Sequence, residues 1–383
     1  MDKNTILRET FGYRAFHSGQ EELIDAILAG CDVFGIMPTG GGKSLCYQIP
    51  ALLLPGLTFV VSPLISLMQD QVTALKEAGI PAAYINSSLS AEQMRTVFSN
   101  IRSGRYKIIY VAPERLETES FLRLTEALSI DLVAVDEAHC ISQWGQDFRP
   151  SYLKILNFIH SLPRRPVVAA FTATATEEVR RDVVRILELH DPLCIITGFD
   201  RPNLRWIMLQ PPKKTPALLR LLQERKRQSG IVYCATRKNV EKVCDALCFH
   251  GFSATRYHAG LSEDERRRNQ EDFVFDRKSI MVATNAFGMG IDKSNVRFVI
   301  HYNMPKSIEA YYQEAGRAGR DGDPADCILL YSGADVTTAR FLIEHGEENE
   351  ALTPEEQELV MRRELIRLGR MTAYCKTDTC LRG

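Results

Sequence analysis

The sequence has no long hydrophobic run and no excess of charge of either sign. None of its apolar stretches approaches the roughly 18 to 20 residues that a membrane-spanning helix needs, and its first residues lack the apolar core of a secretory signal. We therefore predict an intracellular protein. With 47 basic and 48 acidic side chains, the formal net charge is -1. Composition alone thus gives no sign of a nucleic-acid or anionic-membrane partner.

The ten cysteines include no CxxC pair, and the sequence shows no short internal repeat. A disulfide-stapled scaffold is excluded by length, because 383 residues, 45% of them hydrophobic, suffice for two or three ordinary domains. In a reducing compartment most of the cysteines should be small buried hydrophobic residues. The near-neutral total also hides an asymmetry: the net charge is -5 over residues 1–200, +7 over 201–330 and -3 over 331–383.

Short apolar runs alternate with helical stretches along most of the chain. This alternation predicts an α/β fold with parallel sheets covered by helices. The runs lie at 33–37, 57–62, 107–111, 132–135, 167–171 and 194–197, and then at 204–209, 231–234, 279–283, 296–301 and 327–331. We predict one domain over 1–200, a second over 201–334, and a helical third unit that begins at 335–383. Thr353 should cap a helix that opens with Pro354.

A glycine-rich turn, PTGGGKS at residues 38–44, joins the first predicted strand to a helix. A strand, such a turn and a helix N-terminus present backbone N–H groups to phosphate. Lys43 can reach the β and γ phosphates of ATP, and Ser44 can hold Mg²⁺. The strict pattern has Gly where this chain has Met37, and an incidental glycine turn is the alternative, which the flanking strand and helix disfavour. The other residues of this predicted ATP site are Thr39, Gly40, Gly41 and Gly42.

Two adjacent acids, Asp136 and Glu137, open the tetrapeptide DEAH directly after the apolar run 132–135. In an ATPase with a phosphate-binding loop, an aspartate at this point coordinates Mg²⁺, and the neighbouring glutamate is placed to polarise the attacking water. Two surface acids are the alternative, which the presence of Lys43 disfavours. We predict that Ser44 and Asp136 hold Mg²⁺ and that Glu137 activates water.

The segment QEAGRAGR, residues 313–320, places Arg317 and Arg320 three residues apart with small residues between them. This pattern suits close approach to a phosphate bound by another domain, where an arginine stabilises charge developing on the γ-phosphoryl group. A solvated basic helix end is the alternative. We predict Gln313, Arg317 and Arg320 as catalytic residues.

These motifs, in this order and spacing, resemble those of superfamily 2 helicases, and the sequences between them resemble the RecQ family of DNA helicases. The matching segments are FGY at 11–13, PLISLMQDQ at 63–71, APER at 112–115, CISQWGQDFRP at 140–150, TATA at 172–175, YHAGL at 257–261 and ATNAFGMGID at 283–292. The resemblance covers essentially the whole chain. It implies two RecA-like domains in tandem, and an ATP- and Mg²⁺-dependent motor that moves 3'-5' on single-stranded DNA and unwinds duplexes in recombination and repair.

The resemblance also implies how the base of ATP is bound. Tyr13 should stack on the adenine, and Gln20 should read its edge. The family usually has Arg where this chain has His17. An imidazole can stack but lacks a permanent charge, so we predict a weaker and pH-dependent contribution to nucleotide affinity from His17.

DNA contacts should be made mainly to the backbone, because a translocating motor must not depend on which base it meets. By motif match, the candidates are Ser66, Arg115, Thr236, Arg237 and Thr284. A further group lies in residues 140–150, which we call the aromatic loop: Gln143, Trp144, Phe148 and Arg149. A base stacked there, directly after the DEAH acids, could report DNA occupancy to the ATP site. Packing of both aromatic rings into the domain core is the alternative.

The last residues resemble the start of the zinc-binding region that follows the motor in RecQ proteins. The resemblance implies that Cys380 is the first zinc ligand and that Cys375 is not a ligand. A structural zinc site needs four ligands, and the family supplies the other three beyond Gly383. We therefore expect no bound Zn²⁺ in this chain.

Two other functions remain open. An RNA helicase would share the DEAH motif, although the N-terminal motif and the aromatic loop favour DNA. A nucleotide-dependent DNA clamp that does not translocate could dispense with the catalytic acid, which this chain retains. The leading prediction is a monomeric helicase motor acting on single-stranded and duplex DNA, cytoplasmic with the nucleoid in a bacterium or nuclear in a eukaryote.

Overall fold

The computed structural model describes residues 2–145, 148–198, 200–287, 293–345 and 353–377. The chain divides into two compact units, Met1–Phe199 and Asp200–Gly383. Each unit contains one parallel sheet with helices, which confirms the predicted α/β class with two sheets in tandem. In the described part of the chain, no helix is long and apolar enough to cross a membrane.

The first unit contains a seven-stranded sheet in the order β3-β4-β2-β5-β6-β1-β7. Its strands are β1 Val33–Ile36, β2 Leu57–Val61, β3 Ala82–Ile85, β4 Ile108–Val111, β5 Ile130–Val135, β6 Val167–Thr172 and β7 Leu193–Ile196. Its helices are α1 Lys3–Glu9, α2 Gln20–Leu28, α3 Leu45–Leu53, α4 Ile65–Glu77, α5 Ala91–Arg102, α6 Glu119–Thr125, α7 Lys154–Ser161 and α8 Glu177–Ile186. Every residue of β1, β4 and β5 is buried, because helices cover both faces of the sheet.

The second unit contains a six-stranded sheet in the order β10-β11-β9-β12-β13-β8. Its strands are β8 Leu204–Leu209, β9 Ser229–Tyr233, β10 Ala254–Tyr257, β11 Ile280–Ala283, β12 Val296–His301 and β13 Ala325–Leu330. Its helices are α9 Lys214–Gln223, α10 Arg237–Phe249, α11 Glu263–Val274, α12 Ile308–Ala315, α13 Gly333–Glu344 and α14 Pro354–Lys376.

Helix α14 begins as the sequence predicts. The Thr353 side chain accepts the N–H of Glu356, the Glu356 side chain returns a bond to the Thr353 backbone, and Pro354 fills the first helical position. Both α13 and α14 belong to the second compact unit. The assignment of 335–383 to the start of a separate zinc-binding unit stays a prediction.

Strand register brings the ends of three neighbouring strands to one edge of the first sheet. Ile36 at the end of β1 pairs with Thr172 at the end of β6, and Val135 at the end of β5 pairs with Ala170. The segments that follow these strands carry the glycine-rich turn, the TATA sequence and the DEAH acids. Because carboxyl ends of parallel strands are where α/β folds bind ligands, this edge is the candidate site.

Candidate functional site

The glycine-rich turn, residues 38–44, adopts a backbone that requires glycine. Gly40 and Gly42 have left-handed φ angles of 82° and 72°, which side-chain-bearing residues rarely adopt. A Cβ on Gly41 would lie 2.9 Å from the carbonyl oxygen of Pro38. The turn leads directly from β1 into the N-terminus of α3, which is the strand, turn and helix arrangement that binds phosphate.

Gln20 lies against the glycine-rich turn and is 0% exposed. Its Nε2 donates to the carbonyl oxygens of Gly41 and Gly42 at 3.2 and 3.0 Å, and its Oε1 accepts the N–H of His17 at 2.8 Å. Both amide protons are thus used to brace the turn. Its reading of an adenine edge stays a prediction, and it would require exchanging these bonds. Tyr13, predicted to stack on the base, is 51% exposed, and His17 is also exposed.

Lys43 and Ser44 end the turn. The Lys43 Nζ donates to the carbonyl oxygen of Met37 at 3.4 Å, a long bond that a phosphate oxygen could replace. Ser44 occupies the N-cap position of α3, yet its hydroxyl does not bond to the first helical turn. The hydroxyl is therefore not committed to capping, which fits a cation ligand.

Asp136 is buried at the end of β5, with 7% of its surface exposed. Its Oδ1 accepts the N–H of Glu137 at 2.9 Å. Burial and, to a lesser extent, the neighbouring Glu137 together raise the pKa of Asp136 to about 7, and Lys43 opposes the shift. A buried carboxylate favours a nearby positive charge, and carboxylate and hydroxyl oxygens are ligands that suit Mg²⁺. That Asp136 and Ser44 hold the ion stays a prediction.

Glu137 has a left-handed backbone, with φ 48°. For a residue other than glycine this conformation is strained, and such strain is concentrated at functional sites. Its Oε2 is buried, makes no hydrogen bond within the described residues, and lies 3.4 Å from His139 Nδ1. A buried carboxylate oxygen without a hydrogen bond is costly. That Glu137 accepts a proton from a water molecule stays a prediction.

His139, the last residue of DEAH, contacts Thr172 at the end of β6. Its Nδ1 lies 2.8 Å from Thr172 Oγ1, and that hydroxyl donates to the Thr174 carbonyl oxygen at 3.1 Å. Since the hydroxyl proton is used, we assign the proton of this contact to His139 Nδ1. The Met37 N–H donates to the Thr172 carbonyl at 3.0 Å. His139 and Thr172 were not predicted as site residues, although both lie in motifs that the sequence shows.

The aromatic loop is held close to the DEAH turn with Trp144 outward. Trp144 is 44% exposed, so for this ring the alternative of core packing is wrong, whereas Phe148 is half-buried. A Cβ on Gly145 would overlap the carbonyl oxygen of His139. The Arg149 Nη1 donates to the Pro63 carbonyl oxygen at 2.8 Å. The loop thus contacts both the DEAH turn and the segment that begins α4.

The remaining DNA candidates of the first unit also follow strand ends. Ser66 is half-buried in the first turn of α4, after β2. Arg115 follows β4, and its Nη2 donates to the Asn86 carbonyl oxygen at 3.2 Å. Gln143 is half-buried in the aromatic loop. Since β2 lies between β4 and β5, the segments carrying these residues leave neighbouring strands at the same sheet edge.

In the second unit, Thr236 and Thr284 follow the adjacent strands β9 and β11. The Thr236 side chain caps α10 by accepting the Asn239 N–H at 3.2 Å, and Arg237 is exposed beside it. Thr284 is 8% exposed, and its Oγ1 accepts the Ala286 N–H at 3.4 Å. The part of the ATNAFGMGID motif at 288–292 lies outside the described residues.

The two predicted arginines differ in burial. Arg317 is 6% exposed, whereas Arg320 is half-buried. Burial raises the pKa of the nearby Tyr233 to about 12, and the charges of Arg317 and Arg320 and a side-chain hydrogen bond with Arg317 oppose that shift. Gln313, on α12, is half-buried.

Residues 316–320, which we call the arginine loop, are bound by two side chains that were not predicted from the sequence, Arg201 and Asn203. The Arg201 guanidinium donates to the carbonyl oxygens of Gly316, Ala318 and Gly319 at 2.7, 2.9 and 2.6 Å. The Asn203 Nδ2 donates to the Gly319 carbonyl oxygen at 2.9 Å. The sequence indicated only that the boundary between the two predicted domains lies here. The available signal for these contacts was the pair of polar side chains, Arg201 and Asn203, on either side of Pro202.

Cys380, the predicted zinc ligand, lies outside the described residues. Cys375, for which no ligand role was predicted, is buried, and burial raises the pKa of its thiol to about 12. Over the described ranges, no group of three or more His, Cys, Asp or Glu side chains could hold a metal ion.

Residues 17–182 match the family model for the DEAD/DEAH box helicase, and residues 213–322 match the helicase conserved C-terminal domain. The two domains in tandem define the class of DEAD/DEAH-box helicases. The fold of a Saccharomyces cerevisiae Dbp5 variant bound to RNA and ADP BeF3 is similar, with TM-score 0.72 at 16% identity, covering 95% of this chain and 97% of that one.

The chain is 47% identical over 378 residues to "ATP-dependent DNA helicase RecQ" of Bacillus subtilis, covering 98% of this chain and 62% of that protein. It is 40% identical to "Probable ATP-dependent DNA helicase RecS" of the same organism, covering 91% of this chain and 70% of that protein. The chain belongs to the RecQ family of helicases. It spans about 60% of the length of the RecQ proteins it matches.

Proposed function

We propose that this chain is an ATP-dependent DNA helicase motor, which couples ATP hydrolysis to 3'-5' movement along single-stranded DNA and unwinds duplex DNA. The observation that supports it most is the grouping at one sheet edge. The glycine-rich turn, the buried Asp136 and the Glu137 carboxylate leave β1 and β5 on either side of β6. The family membership supports DNA as the substrate, and recombination and repair as the setting.

Each predicted ATP-site residue of the first unit then has a distinct role. Backbone N–H groups of the turn and the Lys43 ammonium bind the ATP phosphates. Ser44 and Asp136 would hold Mg²⁺, which when bound neutralises phosphate charge. Glu137 takes the proton of the attacking water, and His139, whose Nδ1 lies 3.4 Å from Glu137 Oε2, is the side chain beside that carboxylate.

In the second unit, we propose that Arg320 supplies positive charge to the γ-phosphoryl group and that Arg317 and Gln313 support it. For DNA, the proposed backbone contacts are Ser66, Arg115, Thr236, Arg237 and Thr284, with base stacking on Trp144 and support from Gln143, Phe148 and Arg149. We further propose that the motor works as a monomer, in the cytoplasm with the nucleoid or in the nucleus. Zn²⁺ would be bound only if Cys380 is joined by further ligands.

ATP hydrolysis with and without single-stranded DNA or RNA tests the proposal. We expect strong stimulation by DNA, weak stimulation by RNA, and no turnover in Lys43→Ala, because that variant lacks the cation that binds the β and γ phosphates. A matched control is Lys76→Ala, which removes a lysine from the last turn of α4. Absence of DNA stimulation in the unmodified chain would defeat the helicase proposal.

The same assay separates the two alternatives. Stimulation by RNA equal to that by DNA would favour an RNA helicase, a possibility supported only by the fold shared with the Dbp5 variant bound to RNA. Nucleotide-dependent DNA binding without turnover would favour a clamp. The strained backbone of Glu137 and its buried Oε2 atom argue against a clamp, since a binding switch has no need of a water-activating acid.

We expect Trp144→Ala to uncouple ATP hydrolysis from DNA. The exposed indole offers a stacking face, and loss of base–aromatic stacking costs about 1–3 kcal/mol per base, so DNA stimulation should fall about tenfold or more while nucleotide affinity is unchanged. The measurement is ATPase rate against single-stranded DNA concentration, together with titration of a fluorescent ATP analogue. Trp206→Phe is the matched control, because Trp206 packs on Tyr311 and Tyr312 in the second unit. Normal DNA stimulation in Trp144→Ala would contradict the proposed role.

His17→Arg should lower the KM for ATP. The exposed His17 backbone is anchored to Gln20, which holds the position beside the glycine-rich turn, and a guanidinium would add a permanent charge and a planar stacking face there. We expect a decrease of about two- to fivefold, corresponding to 1 kcal/mol or less of added interaction. Steady-state kinetics at pH 6 and pH 8 would measure it. An unchanged KM at both pH values would show that the position does little.

A further inference from the structure

The Ser142 hydroxyl ties the aromatic loop to helix α8. Its Oγ donates to Asp182 Oδ2 at 2.7 Å and accepts the backbone N–H of Trp144 at 3.0 Å. Ser142 is 0% exposed, so water does not reach the hydroxyl. A hydroxyl has one proton and two lone pairs. Committing the proton to Asp182 fixes the direction in which a lone pair meets the Trp144 N–H.

Helix α8, which carries Asp182, is held in place by buried side chains. Val179 and Val183 on its inner face are buried and share a hydrophobic cluster with Cys140 and Ile141, the first two residues of the aromatic loop. Asp182 precedes Val183, at the border of the buried face, and its side chain is 15% exposed. The second carboxylate oxygen, Oδ1, accepts from Arg185 Nη2 at 2.7 Å. One oxygen of Asp182 is therefore bound by Arg185 of its own helix, and the other accepts the Ser142 hydroxyl of the loop.

The attachment at Asp182 differs from two other attachments of the loop. The close approach of Gly145 to His139 and the bond from Arg149 to Pro63 fix residues that follow Trp144. The contact between Ser142 and Asp182 fixes the chain before Trp144 and, through the shared hydroxyl, the Trp144 backbone itself. Helix α8 also begins five residues after Thr172, the partner of His139.

We propose that Asp182 is a positioning residue for DNA-stimulated ATP hydrolysis. It sets the aromatic loop, through Ser142, so that the Trp144 indole stands outward where a DNA base can stack on it. This proposal rests on the proposed function, in which Trp144 is the stacking residue. Helix α8, which carries none of the recognised motifs, would thus position the loop that links the DEAH acids to DNA.

Fluorescence of Trp144 tests the proposal without reference to catalysis. The chain has two tryptophans, so a Trp206→Phe background leaves Trp144 as the reporter. Acrylamide quenching is measured in this background for Asp182→Ala, Ser142→Ala, Asp182→Asn and Glu178→Ala. Asp182→Asn keeps an acceptor for Ser142 and should behave as the background does. Glu178→Ala removes an exposed acid from the same helix and is the matched control.

We expect the quenching constant to rise about twofold in Asp182→Ala and in Ser142→Ala, because an unfastened loop opens locally more often. In the same two variants, the DNA concentration that half-saturates the ATPase should rise about fivefold or more, as expected for loss of a hydrogen bond to a charged group. Their rate of ATP hydrolysis without DNA should be unchanged. Equal quenching in Asp182→Ala and Glu178→Ala would overturn the proposal. If the unmodified chain shows no DNA stimulation, the proposed function fails, and quenching still decides whether Asp182 holds the loop.

Discussion

Glu137→Gln should reduce the DNA-stimulated rate of ATP hydrolysis by about 10³-fold, within the range that general-base catalysis supplies. Glutamine keeps the size of the side chain, but it cannot take the proton of the attacking water. ATP affinity should stay within about twofold, since the phosphates are bound by the glycine-rich turn and Lys43 rather than by this carboxylate. Steady-state kcat and titration with a fluorescent ATP analogue measure the two quantities.

The control for this variant is Glu126→Gln, which neutralises an exposed acid at the end of α6 in the same unit. It should leave kcat unchanged. Were Glu137→Gln to retain more than about a tenth of the rate, a base that contributes 10²–10⁴-fold could not be Glu137, and the strained backbone at this residue would need another explanation. A loss of rate accompanied by an equal loss of ATP affinity would point to damage of the phosphate site instead.

The sheets were largely predictable because their central strands are buried on both faces and therefore appear as continuous apolar runs. The run at 296–301 matches β12, and the run at 132–135 lies within β5. The predictions missed β3 and β10, which lie at the edges of their sheets. Each is four residues long, and the β10 sequence, ATRY, is half polar. An edge strand needs less apolar surface, so its signal is weak.

The chemistry of the ATP site was also predictable, since the residue types are dictated by phosphate and Mg²⁺. The supporting contacts were not. Arg201 clasps the arginine loop from a position 115 residues earlier in the chain than Gly316, and such a pairing exists only after β8 and β13 align. Likewise, Gln20 was expected to face a ligand, yet its amide braces Gly41 and Gly42. Side-chain direction depends on packing that local sequence does not encode.

The contrast in burial between Arg317 and Arg320 leads to the second large expected effect. Arg320→Ala should lower kcat by about 10³-fold, because an arginine that stabilises charge on the γ-phosphoryl group contributes 10³–10⁵-fold. Arg320 is half-buried, so its truncation should change the melting temperature little. Arg320→Lys should recover only part of the rate, since an ammonium lacks the planar fork of a guanidinium.

Arg317→Ala should lower both kcat and stability. Arg317 is 6% exposed and lies by Tyr233, and removal of a buried partner from a hydrogen-bonded group costs about 1–3 kcal/mol. Measuring thermal unfolding beside ATPase rates in both variants separates chemistry from folding. Equal losses of stability in the two variants, or a normal rate in Arg320→Ala, would contradict the assignment of Arg320 as the residue that acts on the phosphate. A large loss of rate without a loss of stability in Arg317→Ala alone would instead assign that role to Arg317.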